Sequence, residues 1–413
     1  MKTTRFEYGN YQSVYRAANT AWRKEAKAAL GQKEGLSAPS SVAFADFVIE
    51  IPEGRDPIVL QLTDTQIIDS AQCRTESRLW QQAKDFWATE RMKERCFDYI
   101  TEIVTALNPD LIIMTGDLVY GEFDDSGTTF TSFVSFMDSF RIPWAPIFGN
   151  HDNESAKGVD WQCDQFSNAS YCLFDQKTLT GNGNYSVGIV QGGILKRIFY
   201  MLDSNACGGA SAASRENGHT KRILGFAEDQ IAWYTQSVQR VKQVYPDVKI
   251  SFAYHVQQAV FADAFAQYGV TQSTEKPHIY IDFLPQKRDG DFGYIGAPLK
   301  SPWDKDRAVW NGMKALGVDS VFVGHEHLNS ASIVYEGVRL QCGQKTSEYD
   351  RWLCVNEETG DFCGGYTKTG TSIIGGSIVV LSKVDGSIAD AYIYYCENAG
   401  AKLDWRGLFE KRR

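Results

Sequence analysis

Asp64, Asp117, Asn150, His255, His325 and His327 each follow a short apolar run, and three of those runs end in a glycine beside the polar residue. The three are Gly116-Asp117, Gly149-Asn150-His151-Asp152 and Gly324-His325-Glu326-His327. Buried strands that end this way deliver polar side chains to one edge of a sheet, where open α/β sheets bind ligands. The residue types suit metal. A carboxylate bridges two cations through its two oxygens, imidazole suits first-row transition metals, and an amide oxygen is a weaker, neutral donor that leaves the ion Lewis acidic. Two ions about 3.5 to 4 Å apart, bridged by Asp117 and a hydroxide, activate a nucleophile and neutralise a phosphoryl group, which is the chemistry of phosphoester hydrolysis.

Taken singly, each cluster has an ordinary reading. Gly-Asp after a strand is a common turn, and Asn150-His151-Asp152 with Glu154 beyond it resembles a capped helix start. His255 reads as a hydrogen-bonded strand-end histidine, whereas the spacing of His325 and His327 puts both on one face of a strand. The ordered set is what points to a metal centre.

The elements that must position these residues alternate. Strands are expected at 58–62, 111–114 and 146–148, with helices between them. Met92, Cys96, Ile100, Ile103, Val104 and Leu107 mark one apolar helix face, and Asn108-Pro109-Asp110 ends that helix before the next strand. A second half follows, with strands at 185–190, 198–202, 250–254 and 320–323 and helices at 227–241 and 307–316. Short strands at 332–335, 338–340, 377–381 and 389–395 then favour a second sheet packed on the first. The expected fold class is α/β, with two domain-level parts: a helical N-terminal extension over 1–45, from the spacing of Tyr15, Ala18, Trp22 and Ala26, and one large domain over 46–413. The stretch near 256–302, which includes Asp289-Gly290-Asp291-Phe292-Gly293-Tyr294, reads as an inserted loop that shapes the pocket. Lys287, Arg288, Lys300 and Arg351 are readable there and beyond as phosphate clamps or as surface charges.

In this 413-residue chain 43% of residues are hydrophobic and 13% aromatic, enough for a substantial core, and no window approaches a membrane span. A formal charge of −9 argues against nucleic acid as a partner, and the small phosphorylated substrate expected from the metal-type residues would have to be drawn in locally by bound cations. The N-terminus carries no secretory signal as written, so a cytoplasmic location is the expectation, or a secreted one if a leader has been removed. Nine cysteines show no CxxC spacing; Cys163 with Cys172 and Cys354 with Cys363 are the pairs near enough in sequence to bridge. No Gly-x-Ser-x-Gly motif supports a serine hydrolase.

The ordered set Asp64, Gly116-Asp117, Gly149-Asn150-His151-Asp152, His255 and Gly324-His325-Glu326-His327 resembles the calcineurin-like metallophosphoesterases. Gly183-Asn184-Tyr185 and the stretch from Gly225-Phe226 to Trp233 are similar to the purple-acid-phosphatase-like branch. The resemblance implies a βαββαβ sandwich of two mixed sheets flanked by helices, in four layers. It further implies two divalent or trivalent ions (Fe, Mn or Zn), one held by Asp64, Asp117 and His327 and the other by Asp117, Asn150, His255 and His325. Asn150 and His151 would bind substrate, and His151 and Asp117 would be catalytic in cleavage of a phosphomonoester or phosphodiester by a metal-bound hydroxide. One departure matters. Most of the family carries Asp-x-His at the first motif, but this chain reads Asp64-Thr65-Gln66. Purple acid phosphatases lack that histidine and use the tyrosine of Gly-Asp-x-x-Tyr, a pattern matched here by Gly116-Asp117-Leu118-Val119-Tyr120. Tyr120 is therefore a candidate phenolate ligand, with Gln66 a neutral ligand or a hydrogen-bonding neighbour. The alternative expectation is a weakly active or non-catalytic phosphate binder whose first metal site is impaired.

Overall fold

The computed structural model describes residues 13–16, 44–74, 92–205, 225–275, 279–299, 303, 306–347, 354–356, 362–363 and 370–396. Two mixed sheets form its centre. The smaller has five strands in the order β18 (Ile388–Tyr395), β17 (Gly375–Leu381), β3 (Ile58–Leu62), β4 (Leu111–Thr115), β5 (Trp144–Ile147). In it β3, β4 and β5 run parallel, while β17 is antiparallel to both of its neighbours.

The larger sheet has ten strands. Its order is β1 (Ser13–Arg16), β2 (Phe47–Glu50), β6 (Tyr185–Gln191), β7 (Ile194–Met201), β8 (Lys249–Ala253), β11 (Val318–Val323), β13 (Val338–Cys342), β12 (Asn329–Tyr335), β10 (Phe292–Ile295), β9 (Ile279–Tyr280). Its middle, from β7 through β8 and β11 to β13, is parallel. A separate three-stranded sheet joins β14 (Cys354–Asn356), β15 (Phe362–Cys363) and β16 (Gly370–Ser372).

Helices cover the outer faces. On the five-stranded sheet, α1 (Met92–Leu107) and α2 (Thr128–Ser139) meet through stacked Phe97 and Phe136. Phe133 of α2 meets Trp144 of β5 edge on, and α3 (Val159–Asn168) brings Phe166 onto the same tryptophan. On the ten-stranded sheet, α4 (Glu228–Val244) lays Trp233 and Tyr234 against Tyr200 and Phe252. There α5 (Ala259–Ala266) and α6 (Asp306–Ala315) pack on each other and on β12 and β11. The result is the expected four-layer sandwich, and one apolar cluster runs through both sheets. The anticipated face of α1 is buried, with Tyr99 added and Leu107 only partly covered. Asn108, at φ +44, ends that helix in the left-handed conformation, and its N–H bonds back to Val104 O.

The strands β3, β4, β5, β8 and β11 all point their C-terminal ends at one place. A buried polar side chain fixes that alignment: Gln61 Nε2 donates to Thr115 Oγ1 and across the sandwich to Val323 O, both at 3.0 Å, and Gln61 Oε1 accepts from Gln341 Nε2. The two sheets are thereby registered one rung below the motif residues.

Two expectations are corrected. Ser13–Arg16 is a strand antiparallel to β2, so Tyr15 does not belong to a helix; its helical spacing is outweighed by the open edge of β2. The remainder of 1–43, with Ala18, Trp22 and Ala26, lies outside the described residues. The segment 256–302 is not one loop, since it contains α5, β9 and β10. Gly293 lets β10 lie against β12 where a Cβ would stand 1.9 Å from Ser330 O, and Asp291 accepts bonds from Tyr268 and from the Val334 N–H. Cys163 and Cys172, near enough in sequence to bridge, are both buried and form no disulfide. Cys354 and Cys363 face each other in the backbone register of β14 and β15. Among the described residues no helix is long and apolar enough to cross a membrane.

Candidate metal centre

Each motif places its polar residue one or more positions past a strand end, where the chain must turn sharply under crowding. Asp64 (φ +50), Gln66 (+35), Asp117 (+52) and His325 (+73) all have positive φ. Non-glycine residues rarely adopt that conformation, and its concentration at one point is the mark of a constrained functional site. Hydrogen bonds between motifs hold the turns: Asp64 N–H to Gly116 O, Gln66 N–H to Asp117 O, His151 N–H to Asp117 Oδ1, and His325 N–H to Asp64 Oδ2 at 3.0 Å. All three motif glycines are explained by close approach: a Cβ on Gly116 would stand 2.5 Å from His255 Nδ1. A Cβ on Gly149 would stand 2.2 Å from Asp117 Oδ1, and one on Gly324 would stand 2.2 Å from Thr63 Oγ1 and 2.8 Å from Asp64 Oδ2.

The ligand-type atoms fall into two groups, each with all its atoms within 4.8 Å of one another: Asp117, His255, His325 and Asp64, Asp117, His327. Asp117 belongs to both. Its Oδ2 is 3.3 Å from His255 Nε2 on one side and 2.9 Å from Gln66 Nε2 on the other. Asn150 joins the group of His255 and His325, with Oδ1 3.0 Å from His255 Nε2 and 2.8 Å from His325 Nδ1. In the other group His327 Nε2 lies 3.2 Å from Asp64 Oδ1 and 3.0 Å from Gln66 Nε2.

So many like and unlike charges in a buried space perturb one another. Burial opposes charge on both Asp117 and His255, but each stabilises the ionised form of the other. The Asp117 carboxyl is held well below its usual range, and the His255 imidazole is raised to about 9. His325 is pushed down to about 4, first by burial and then by His255. A cation would take the part that the His255 proton plays toward Asp117. The donor set also fits a cation on a second ground: Gln66 Oε1 is buried with no hydrogen-bond partner, at the edge of the Asp64 group.

Around these residues stand side chains that the motif pattern did not single out as functional. Glu154 Oε2 is 2.9 Å from His151 Nδ1, where the pattern read it as part of a helix cap. Asp152 accepts from the N–H groups of Leu118, Val119 and Gly149, and burial together with the Asp117 carboxylate raises it to about 7. Glu326, between the two histidines, accepts from Gln257 Nε2, and burial raises its pKa. Ser347 Oγ donates to Asp64 O. Tyr120 is buried, its ring 4.6 Å from that of His151 and its hydroxyl 3.3 Å from Glu122 Oε2. Of the candidate phosphate clamps, Lys287 is exposed and lies 3.6 Å from Asp282, and Arg288 is exposed. Lys300 and Arg351 lie outside the described residues.

A sandwich of two mixed sheets with Asp, Asn and His converging at shared strand ends is the arrangement of the metal-dependent phosphoesterases. The family profile described as calcineurin-like phosphoesterase matches residues 58–329, and the chain belongs to that family. Among its relatives, "Phosphatase DCR2" of Saccharomyces cerevisiae is 24% identical over 293 residues, which span 68% of this chain and 45% of that protein. "Probable inactive purple acid phosphatase 29" of Arabidopsis thaliana is 23% identical over 307 residues, 69% of this chain and 70% of that one. The chain thus spans less than half the length of the yeast relative. Among solved structures it is similar to the purple acid phosphatase PPD1 from yellow lupin seeds, at a TM-score of 0.41 and 12% identity over 88% of this chain and 57% of that one.

Proposed function

We propose that this chain is a dinuclear metal-dependent phosphohydrolase that cleaves a phosphomonoester or phosphodiester. The observation that carries the proposal is Asp117, one carboxylate common to two donor groups, with Oδ2 3.3 Å from His255 Nε2 and 2.9 Å from Gln66 Nε2. Asp64, Asp117 and His327 would hold one cation, and Asp117, Asn150, His255 and His325 the other. A bound pair supplies Lewis acidity toward the phosphoryl oxygens and a nucleophilic water at neutral pH.

The protein's own groups do the rest. His255 is oriented by its Nδ1, 2.7 Å from Thr115 O, so Nε2 is directed at Asp117 and Asn150. Glu154 engages His151 Nδ1, which assigns Nε2 to the substrate; there it contacts the phosphate and delivers a proton to the leaving oxygen. Asn150 would offer its amide nitrogen to the same substrate. Asp117 anchors the geometry through Oδ1, which accepts from the His151 N–H and so fixes the proton donor relative to this carboxylate.

The test couples elemental analysis to turnover of a panel of aryl phosphate mono- and diesters. Two ions per chain with turnover are expected, and His151→Ala should lower turnover with metal content unchanged. Loss of metal in that variant would sink the role given to His151. A second reading, a phosphate binder with an impaired first site, is favoured by Gln66 in the place of the family's histidine; one ion per chain without turnover would select it.

A further inference from the structure

We infer that Gln66 is itself a ligand of the first cation, through its carboxamide oxygen, in place of imidazole or phenolate; this rests on the dinuclear reading above. The carboxamide lies inside the donor group. Its nitrogen is 2.9 Å from Asp117 Oδ2 and 3.0 Å from His327 Nε2, and His327 Nε2 is in turn 3.2 Å from Asp64 Oδ1. An NH2 placed between a carboxylate oxygen and an imidazole nitrogen offers its partial positive charge to the lone pairs that a cation would take. It is the metal-free stand-in.

When a cation takes those lone pairs, the NH2 can no longer donate to them, and its hydrogens meet positive charge. A half-turn of the amide about its last side-chain bond exchanges nitrogen for oxygen at nearly the same position, since the two atoms are almost equal in size. The half-turn costs little. Gln66 Oε1 is buried and makes no hydrogen bond that would be lost, and the two bonds given up by the nitrogen are replaced by metal bonds to the same acceptors. The backbone is set for this: Gln66 holds the strained φ of +35 through its N–H bond to Asp117 O, which aims the side chain back at Asp117. Tyr120, the alternative, packs with Ile68, Met92 and Phe123 and directs its hydroxyl at Glu122.

A neutral amide adds no charge to the site. Compared with a phenolate it favours divalent over ferric ion and gives no phenolate-to-metal absorption. The test is a calorimetric titration of chelator-stripped protein with Mn²⁺, with bound metal counted by elemental analysis. Wild type should bind two ions. Gln66→Ala should bind the first-site ion at least about tenfold more weakly, with the second unchanged, which also shows that the variant is folded. Gln66→Glu, which keeps an oxygen donor, should restore it, and Tyr120→Phe should match wild type. Ferric loading should leave wild type without a visible charge-transfer band. Two unaltered ions in Gln66→Ala, or a ferric band abolished by Tyr120→Phe, would overturn the inference and leave the dinuclear reading standing. One ion or none in wild type removes that reading and the inference with it.

Discussion

The two donor groups differ in how firmly their side chains are fixed. Around His255 and His325 the ligands are locked: His255 is fully buried with Nδ1 on Thr115 O, and Asn150 Oδ1 lies between the two imidazoles. Around Asp64 and His327 a carboxamide stands in the position of the family's imidazole, its nitrogen on Asp117 and His327 and its oxygen buried without a hydrogen-bond partner. The lesson is that one half of the candidate centre holds its donors against one another, whereas the other leaves a carboxamide oxygen without a hydrogen bond. Binding strength, exchange rate and sensitivity to substitution should all differ between them.

The most severe way to break this contrast is Asp117→Asn, which removes the charge common to both halves. Metal content should fall toward zero, with turnover down by roughly a thousandfold or more, seen by elemental analysis beside a steady-state assay. Next comes His151→Ala, which spares both halves: turnover should drop by about 100- to 10,000-fold while two ions remain bound. A matched pair then compares the halves directly. His255→Ala should weaken the second ion by roughly 100-fold, and His327→Ala should weaken the first by less, because the rest of that group can rearrange; equal losses in a metal titration would refute the contrast. Smaller still is Glu154→Gln, which leaves His151 in place but loses the charged partner of Nδ1. Turnover should fall by about tenfold with a shifted pH profile and unchanged metal content.

The mildest effect concerns protons. In the metal-free protein His255 keeps its proton up to about pH 9, whereas His325, held near 4, is already neutral at pH 7. A cation entering the second group must therefore expel the His255 proton, and its apparent affinity should rise about tenfold per pH unit until pH 9 and then level. Calorimetry at pH 7 in buffers of different ionisation enthalpy should register close to one proton released for that ion. No release would show that His255 is neutral before the metal arrives.

The parts of this design that were readable in the sequence are those where one requirement acts on one short segment. A buried strand must be apolar, and a ligand turn against another motif must begin with glycine when a Cβ would strike Asp117, Asp64 or His255. The runs ending at Gly116, Gly149 and Gly324 carry both signals together. What stayed hidden depends on partners distant in the chain. Phe292–Ile295 looks like a loop because Asp291 and Gly293 are loop residues, yet it is a strand because Tyr268, Ser330 and Val334 meet it. Cys163 and Cys172 are nine positions apart but face different neighbours, Gln176 for one and the β5 edge for the other. Glu154 has an equally good local role as a capping residue, and only the fold shows it on His151.

Gln61 has a consequence for motion. Because this one side chain links Thr115 in its own sheet to Val323 and Gln341 in the other, neither sheet can slide without breaking buried bonds beside the ligands. Shear of one sheet past the other is therefore opposed at the same level of the fold as the candidate ligands.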